Sequence, residues 1–394
     1  MVTVLVLDAN QRSALAATRS LGGRGIHVIA ADETRETLAG SSRYCSETMQ
    51  YPSPTLNDEL FIEQLSRKAA ANRVSVIFPM TEVTTRLLLM HREQFKGMII
   101  PFSTLEAFEL LSSKWRLHKL AEELNVPIPF TVFVESKKDL ERASASIKFP
   151  AVLKPYGSKI HSDGKWLGAT VRYVNSLEEL YLIVKEDPCF NEHPFMIQEK
   201  IEGIGEGVFA LYDRGRPVQF FAHRRLREKP PTGGVSVLCE SIALNPRMQE
   251  LACTILTHVR WHGIAMVEFK VSADGMPYLM EVNARFWGSL HLAIQAGVDF
   301  PYLLYKLAIG DQVEELRSYR IGLRNRWVLG DLDNLYISWK EGLLHQEVWA
   351  SILRRVRVLE KDTCYETCMW DDLSPFWFEV RKYVREVRGS DSSA

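Results

Sequence analysis

The sequence predicts a chain of the α/β and α+β class, in which an N-terminal open parallel sheet precedes a region of mixed strands and helices. Three observations predict it. Residues 1–110 alternate short apolar runs with helical patterns, the order of a parallel sheet. From FPAVLKPYG to about residue 310 the strands come with hairpin turns and two long helices. The stretch 311–394 is rich in Arg, Trp and Leu and reads as mainly helical.

The elements follow in order. VTVLVLDA is a strand, QRSALAATRSLGGRG a helix with a glycine end, and HVIAAD a second strand. FIEQLSRKAAAN is a helix, VSVIFP a strand and VTTRLLLMHREQF a helix. No GxGxxG follows the first strand, which argues against a dinucleotide site. Ligands of such sheets gather at the carboxyl ends of strands, where Asp8, Asn10 and Glu82 fall. Loop polarity alone also explains these three. Ser112 and Ser113 precede KWRLHKLAEEL, an amphipathic helix with a serine cap. Residues 287–311 read as two helices around Gly297-Val298-Asp299, and the tail RGSDSSA as a frayed end. Divisions are expected at 1–112, 113–195, 196–310 and 311–394.

A chain of 394 residues with 46% hydrophobic content can bury a large core in two or three domains. A formal net charge of -1 gives no bulk attraction to nucleic acid or an acidic membrane. No apolar run reaches the roughly 18 residues of a membrane span. MVTVLVLDAN lacks a basic n-region and reads as a first strand rather than a signal peptide. The six cysteines are scattered, and Cys364 and Cys368 have no second pair to complete a zinc site. Free thiols in a reducing cytoplasm are the expectation.

The chemistry concentrates in MPYLMEVNARFWGS. Glu281, Asn283 and Arg285 recur at every second position, so they share one strand face, with Met280, Val282 and Ala284 on the other. Asp274-Gly275 predicts a two-residue type I′ turn, and that register sets Glu268 directly opposite Glu281. Facing like charges destabilise a hairpin, and burial aggravates the conflict. A divalent cation resolves it, and an oxygen set completed by Asn283 favours Mg²⁺ or Mn²⁺ over zinc. Two other readings stand beside this one: an exposed hairpin paired with Arg or Lys, and an acid–base carboxylate pair.

Weaker signals surround this one. Lys154 ends an apolar strand, and the loop after it carries Gly157, Gly164 and Gly168, which can bring backbone N–H groups to phosphates or simply tip a hairpin. Lys114 opens a helix, where a lysine contacts phosphate or solvent. Gln198-Glu199-Lys200-Ile201 can hydrogen-bond an adenine edge and Glu206 can grip ribose, although strand–loop–strand structure explains the same letters.

Taken in order, Lys114, Lys154, the glycine loop, Gln198-Glu199-Lys200-Ile201, Glu206, Glu268, Glu281-x-Asn283 and Arg285 resemble the ATP-grasp superfamily over about residues 1–310. Within it the chain is most similar to carboxylate-amine ligases and carbamoyl-phosphate-synthase-like proteins. The resemblance implies a pre-ATP-grasp domain at 1–112 and a small, lid-bearing subdomain at 113–195. It further implies a large subdomain with the metal site at 196–310, and the helical extension 311–394 has no counterpart in the minimal fold. It implies ATP held by Lys114 and Lys154 at its phosphates, by Gln198, Glu199, Lys200 and Ile201 at adenine, and by Glu206 at ribose. Two Mg²⁺ ions, with Mn²⁺ able to substitute, would sit on Glu268, Glu281 and Asn283. Arg285 would stabilise the transferred phosphoryl group.

The segment AHRRLREKPPTGGVSV is rich in basic residues, and the resemblance implies that it lies near the γ-phosphate and the acceptor carboxylate. Alternation puts His223, Arg225 and Arg227 on one face, and Arg225 and Arg227 are the expected catalytic contacts. A solvated basic edge strand is the alternative. Trp287, Gly288 and Ser289 either line an acceptor pocket or pack a turn. Arg324, Arg326, Trp327 and Asp331 suggest an Arg–Asp network, with a substrate cover as the alternative. The expected activity joins a small-molecule carboxylate to an amine through an acyl phosphate, releasing ADP. The rivals are a bicarbonate-using carboxylase or carbamoyl-phosphate-synthase-like enzyme, and a non-catalytic ATP-binding regulator. Neither nucleic acid nor membrane is expected as a partner, and a homodimer is compatible with this reading.

Overall fold

The computed structural model describes residues 2–156, 159–162, 165–168, 170–343 and 360–391. Gly157 and Gly164 of the expected phosphate loop lie outside them.

The first unit holds β1 (Thr3–Val6), α1 (Arg12–Gly22), β2 (His27–Asp32), β3 (Glu47–Gln50), α2 (Asp58–Ala71) and β4 (Val76–Phe78). The sheet is parallel throughout, in the order β3-β2-β1-β4. β1 and β4 are buried along their whole length, as parallel strands covered on both faces must be. Asn57 caps α2 by accepting from the Leu60 N–H at 2.9 Å. Three helices follow: α3 (Glu82–Met90), α4 (Leu105–Ser112) and α5 (Lys114–Glu123). Ser113 caps α5 through the Arg116 N–H at 3.3 Å.

The second unit holds β5 (Thr131–Val134), α6 (Lys137–Ser146), β6 (Ala151–Pro155), the hairpin β7 (Lys159–Ser162) and β8 (Lys165–Gly168), β9 (Arg172–Val174), α7 (Leu177–Glu186), α8 (Pro188–Asn191) and β10 (Phe195–Glu199). Its main sheet is antiparallel, in the order β5-β10-β6-β9. All of β10 belongs to this sheet, so the division expected at 195/196 falls inside a strand.

The third unit begins with β11 (Ile204–Asp213), β12 (Arg216–Lys229), β13 (Val235–Ser241), α9 (Pro246–His258), β14 (Gly263–Val271) and β15 (Pro277–Asn283). It continues through α10 (Leu290–Gln295), α11 (Phe300–Ala308), β16 (Arg324–Arg326), α12 (Val328–Lys340), β17 (Thr363–Tyr365) and α13 (Ser374–Asp391). The sheet order is β15-β14-β11-β12-β13-β16-β17. The extension is therefore not only helical: β16 and β17 cover the edge that β13 would otherwise leave open. Three residues carry too little alternation to announce a strand. The expected frayed tail is also shorter, because α13 runs to Asp391.

One apolar core joins the first sheet to the large sheet, while the small sheet has a separate core around Leu153, Leu180, Phe195 and Ile197. Phe286, just after β15, is fully buried and packs on Phe78 of β4 and on Phe102. Burying such a ring contributes about 1.5–3 kcal/mol. This contact pins the end of the Glu281 strand to the carboxyl end of the first sheet.

Candidate active site

The β14–β15 hairpin brings Glu268 and Glu281 face to face by a route the sequence does not show. Its turn is not the expected two-residue type. Ser272 N–H bonds Met276 O at 3.0 Å around three loop residues, and Gly275 takes the left-handed φ of 85°. Alone, that turn would shift the register by one. A bulge between Leu279 and Glu281 shifts it back, so Glu268 still pairs with Glu281. Met280 is the extra residue. Contrary to the simple alternation, its sulfur lies 4.0 Å from the Lys154 ammonium across the cleft.

Directly opposed residues of antiparallel strands share a face. The row Glu281, Glu268, Gly207, His223 therefore projects from one side of the large sheet. Each carboxylate is met by a cation from another element. Lys114 of α5 lies 2.9 Å from Glu281, and Arg225 of β12 pairs with Glu268. Glu268 keeps 13% of its side-chain exposure and Glu281 31%, so both open onto the cleft. Burial, offset in part by Arg225, pushes the Glu268 carboxyl up to about 7. Lys114 holds Glu281 well below the usual carboxylate range. Burial, with Lys114 close by, lowers the Lys154 ammonium to about 8. Asn283 donates its amide to Glu281 at 3.1 Å, leaving its oxygen as a further donor to a cation. Among the described residues no three His, Cys, Asp or Glu side chains converge as a metal group. The set is two carboxylates plus an amide, an all-oxygen arrangement that suits a hard divalent ion with open positions.

Not every expected residue joins this cluster. Glu206 pairs with Arg224 and Phe269, so it projects from the opposite face to Glu268. Arg227 is turned away because a bulge at Leu226 interrupts the alternation that Arg225 obeys. Its guanidinium instead makes two 2.7 Å bonds to Asp331. Arg224 is held by Glu240 at 2.6 Å. His223 stands on the same face as Glu268 but is covered there, buried edge-on against Phe209 with Ser289 at 3.4 Å, so it does not open onto the cleft. Trp287 packs on Phe209 and Phe300, whereas Gly288 of the same turn lines the cavity described below.

The adenine segment lies where the small sheet passes into the large one. Gln198 is buried and donates to Thr131 Oγ1 at 2.8 Å, and the Glu199 N–H is already bonded to Phe130 O at 2.9 Å. Lys200 is exposed and pairs with Glu202 at 2.7 Å, while Ile201 is half-buried.

Sequence reading passed over several residues that stand beside the cluster. Gly205 and Gly207, two apart on β11, keep the sheet surface bare beside Arg225 and Glu268; alternate glycines on a strand are the signal. His118 sits one turn beyond Lys114 and bonds its carbonyl through Nδ1 at 2.7 Å. A carbonyl only accepts, so Nδ1 carries the proton, and buried Nε2 is left without a partner. Nothing in the letters distinguishes this histidine.

A cavity of about 830 Å³ is lined by the chain neighbours of the cluster, Ser113 and Trp115 on either side of Lys114 and Arg285 just beyond Asn283. It runs from the carboxyl ends of the first sheet, at Asp32, Glu33 and Glu82, to Arg116, Arg285 and Gly288. Arg285 lies just past β15 and donates to Phe286 O at 2.6 Å. Asp8 and Asn10 also line it, but both are engaged. Asp8 accepts from Met80 N–H, Thr81 N–H and Thr84 Oγ1 at 2.6–3.0 Å. Asn10 bonds Asp32, Thr34 and Leu38.

Two sheets that face each other across paired carboxylates, with a lysine from the small sheet and one from α5, define the ATP-grasp fold. Residues 191–330 match the family described as "ATP-grasp in the biosynthetic pathway with Ter operon", a match that takes in most of the large sheet and its paired carboxylates. A carbamoyl phosphate synthase large chain from Methanoregula boonei is 23% identical over 319 residues, 77% of this chain. The match takes in only 28% of that relative's length. An L-amino acid ligase structure from Bacillus licheniformis superposes with a TM-score of 0.62 at 15% identity, covering 79% of this chain and 75% of that one. The biotin carboxylase domain of a Hydrogenobacter thermophilus 2-oxoglutarate carboxylase, solved with MgADP and bicarbonate, gives 0.62 at 18% identity, covering 82% and 73%. No helix among the described residues is long and apolar enough to cross a membrane.

Proposed function

We propose that the chain is an ATP-dependent ligase that activates a carboxylate as an acyl phosphate and joins it to an amine. The observation that carries this reading is that the chain segment which presents Glu281 and Asn283 continues directly to Arg285 in the wall of a substrate-sized cavity. Glu268, Glu281 and Asn283 would hold Mg²⁺, two ions in the full complement with Mn²⁺ able to substitute, and the metal would neutralise the phosphate oxygens. Lys114 and Lys154 bring positive charge to the phosphates from two different elements, and Arg225 brings a third. A carboxylate oxygen held at Arg285 attacks the γ-phosphorus, and the bridging oxygen leaves with ADP. The amine nitrogen then attacks the acyl carbon, phosphate departs with the C–O bonding pair, and the amine proton passes to solvent. The carboxylates at the far end of the cavity suit an amine-bearing acceptor.

Similarity to a carbamoyl phosphate synthase keeps bicarbonate as the second reading. A cavity of about 830 Å³ is far larger than bicarbonate needs and favours an organic acid. A matrix of carboxylates against amines, scored by ADP release and product mass, tests the proposal. One acid–amine pair is expected to release ADP and yield the amide, and Glu281→Ala or Arg285→Ala to fold and lose at least about 100-fold. ADP release driven by bicarbonate alone would replace the ligase by the carboxylase. Full activity in either variant would remove the mechanism.

A further inference from the structure

Three consecutive residues beyond Arg225 are gripped by one helix of the C-terminal extension. Arg227 is held bidentately by Asp331, itself fully buried and also bonded to Arg326 at 2.8 Å. The Glu228 carbonyl accepts from Asn334 Nδ2 at 2.5 Å. Lys229 pairs with Asp333, which also accepts from Tyr383 of α13. Glu228 in turn shares Arg225 with Glu268, at 2.7 Å on its own side. The grip begins at Trp327, whose ring lies 3.9 Å from the Arg12 guanidinium and 5.4 Å from the Lys229 ammonium. Trp327 Nε1 donates to Glu379 at 2.7 Å. Gly330 makes room for the ring, because a Cβ there would stand 2.1 Å from it. A glycine inside a helix costs about 1 kcal/mol relative to alanine, and the Trp327 ring explains its presence.

We propose that residues 327–334 are a positioning element of the phosphate site: they hold the end of β12 so that Arg225 meets Glu268. None of these residues reaches the cleft itself. They act through Arg225, which a bulged strand end could not otherwise hold in one place. The inference rests on the nucleotide reading above, and the two can fail separately.

A double-mutant cycle on binding tests it, with Mn²⁺ and the β,γ-imido analogue of ATP as probe and calorimetry as readout. Asp331→Asn is expected to weaken binding at least about tenfold in the wild-type background, the usual effect of losing a supporting partner of a metal site. In the Arg225→Met background the same change is expected to cost less than about twofold, because the route through Arg225 is already cut. Equal losses in both backgrounds would make the segment merely structural, and unchanged affinity in folded Asp331→Asn would overturn the proposal outright. If Asp331→Asn does not fold, Asn334→Ala takes its place in the cycle, and the same two results would overturn the proposal. Failure of the wild-type protein to bind the probe would sink the nucleotide reading instead.

Discussion

Two acidic centres, one on the helix α12 and one on the large sheet, make opposite use of the same ingredients. At Asp331 a single buried carboxylate receives two arginines through three bonds of 2.7–2.8 Å. At Glu268 and Glu281 two carboxylates oppose each other, and each has one cation, drawn from a different element. The first arrangement satisfies its charge completely and closes on itself. The second leaves two acids side by side, partly open, with cations that a polyphosphate would also attract. A centre that folds a chain has its partners in excess; a centre that handles a ligand keeps a deficit for the ligand to fill.

Substitution separates the two. Asp331→Ala should cost about 3–5 kcal/mol of stability by stranding buried guanidinium groups, whereas Glu268→Gln removes a like-charge contact and should leave the melting temperature equal or higher. Thermal unfolding at pH 8 reads both, and a comparable loss in Glu268→Gln would erase the contrast. A smaller effect tests the deficit at Lys154. Its folded value lies below the ordinary one, so the buried ammonium costs stability below about pH 8, and that cost fades as pH rises. Nucleotide affinity should be fullest between about pH 7, above which Glu268 is ionised, and about pH 8, and fall up to tenfold per pH unit above that as Lys154 loses its proton. Lys154→Met should abolish this alkaline limb and raise the melting temperature at pH 7. An unaltered limb would assign it elsewhere. The smallest effect is expected at Glu206. Facing away from the cluster, it should change nucleotide affinity by less than about twofold on conversion to Ala, and a larger loss would place ribose nearer that face than the strand pairing does.

Much of the fold could be read from the letters, because the first sheet advertises itself by apolar runs alternating with helical periods. The elements that escaped are short: Glu47–Gln50, Arg324–Arg326 and Thr363–Tyr365 owe their strand state to neighbours already in place. At the site, residue types told more than spacing did. Glu268, Glu281 and Asn283 stand together, as expected. Arg227 and Glu206 do not, because period-two counting carries no warning of a bulge and cannot tell which face of β11 meets the cleft. His118 stayed hidden because its place depends on a helix packing against β15, information that no local window contains.

The hairpin that presents Glu268 and Glu281 has a consequence for how such a chain can change over time. Its turn holds one residue more than the shortest alternative, and its bulge takes one residue back. Closing the turn to two residues at constant chain length, or straightening the bulge, would separately throw the two carboxylates out of line. Done together, they would restore the alignment. Inheritance of this site is therefore tied to the difference between two lengths, and lineages can cross from one solution to the other only by paired steps.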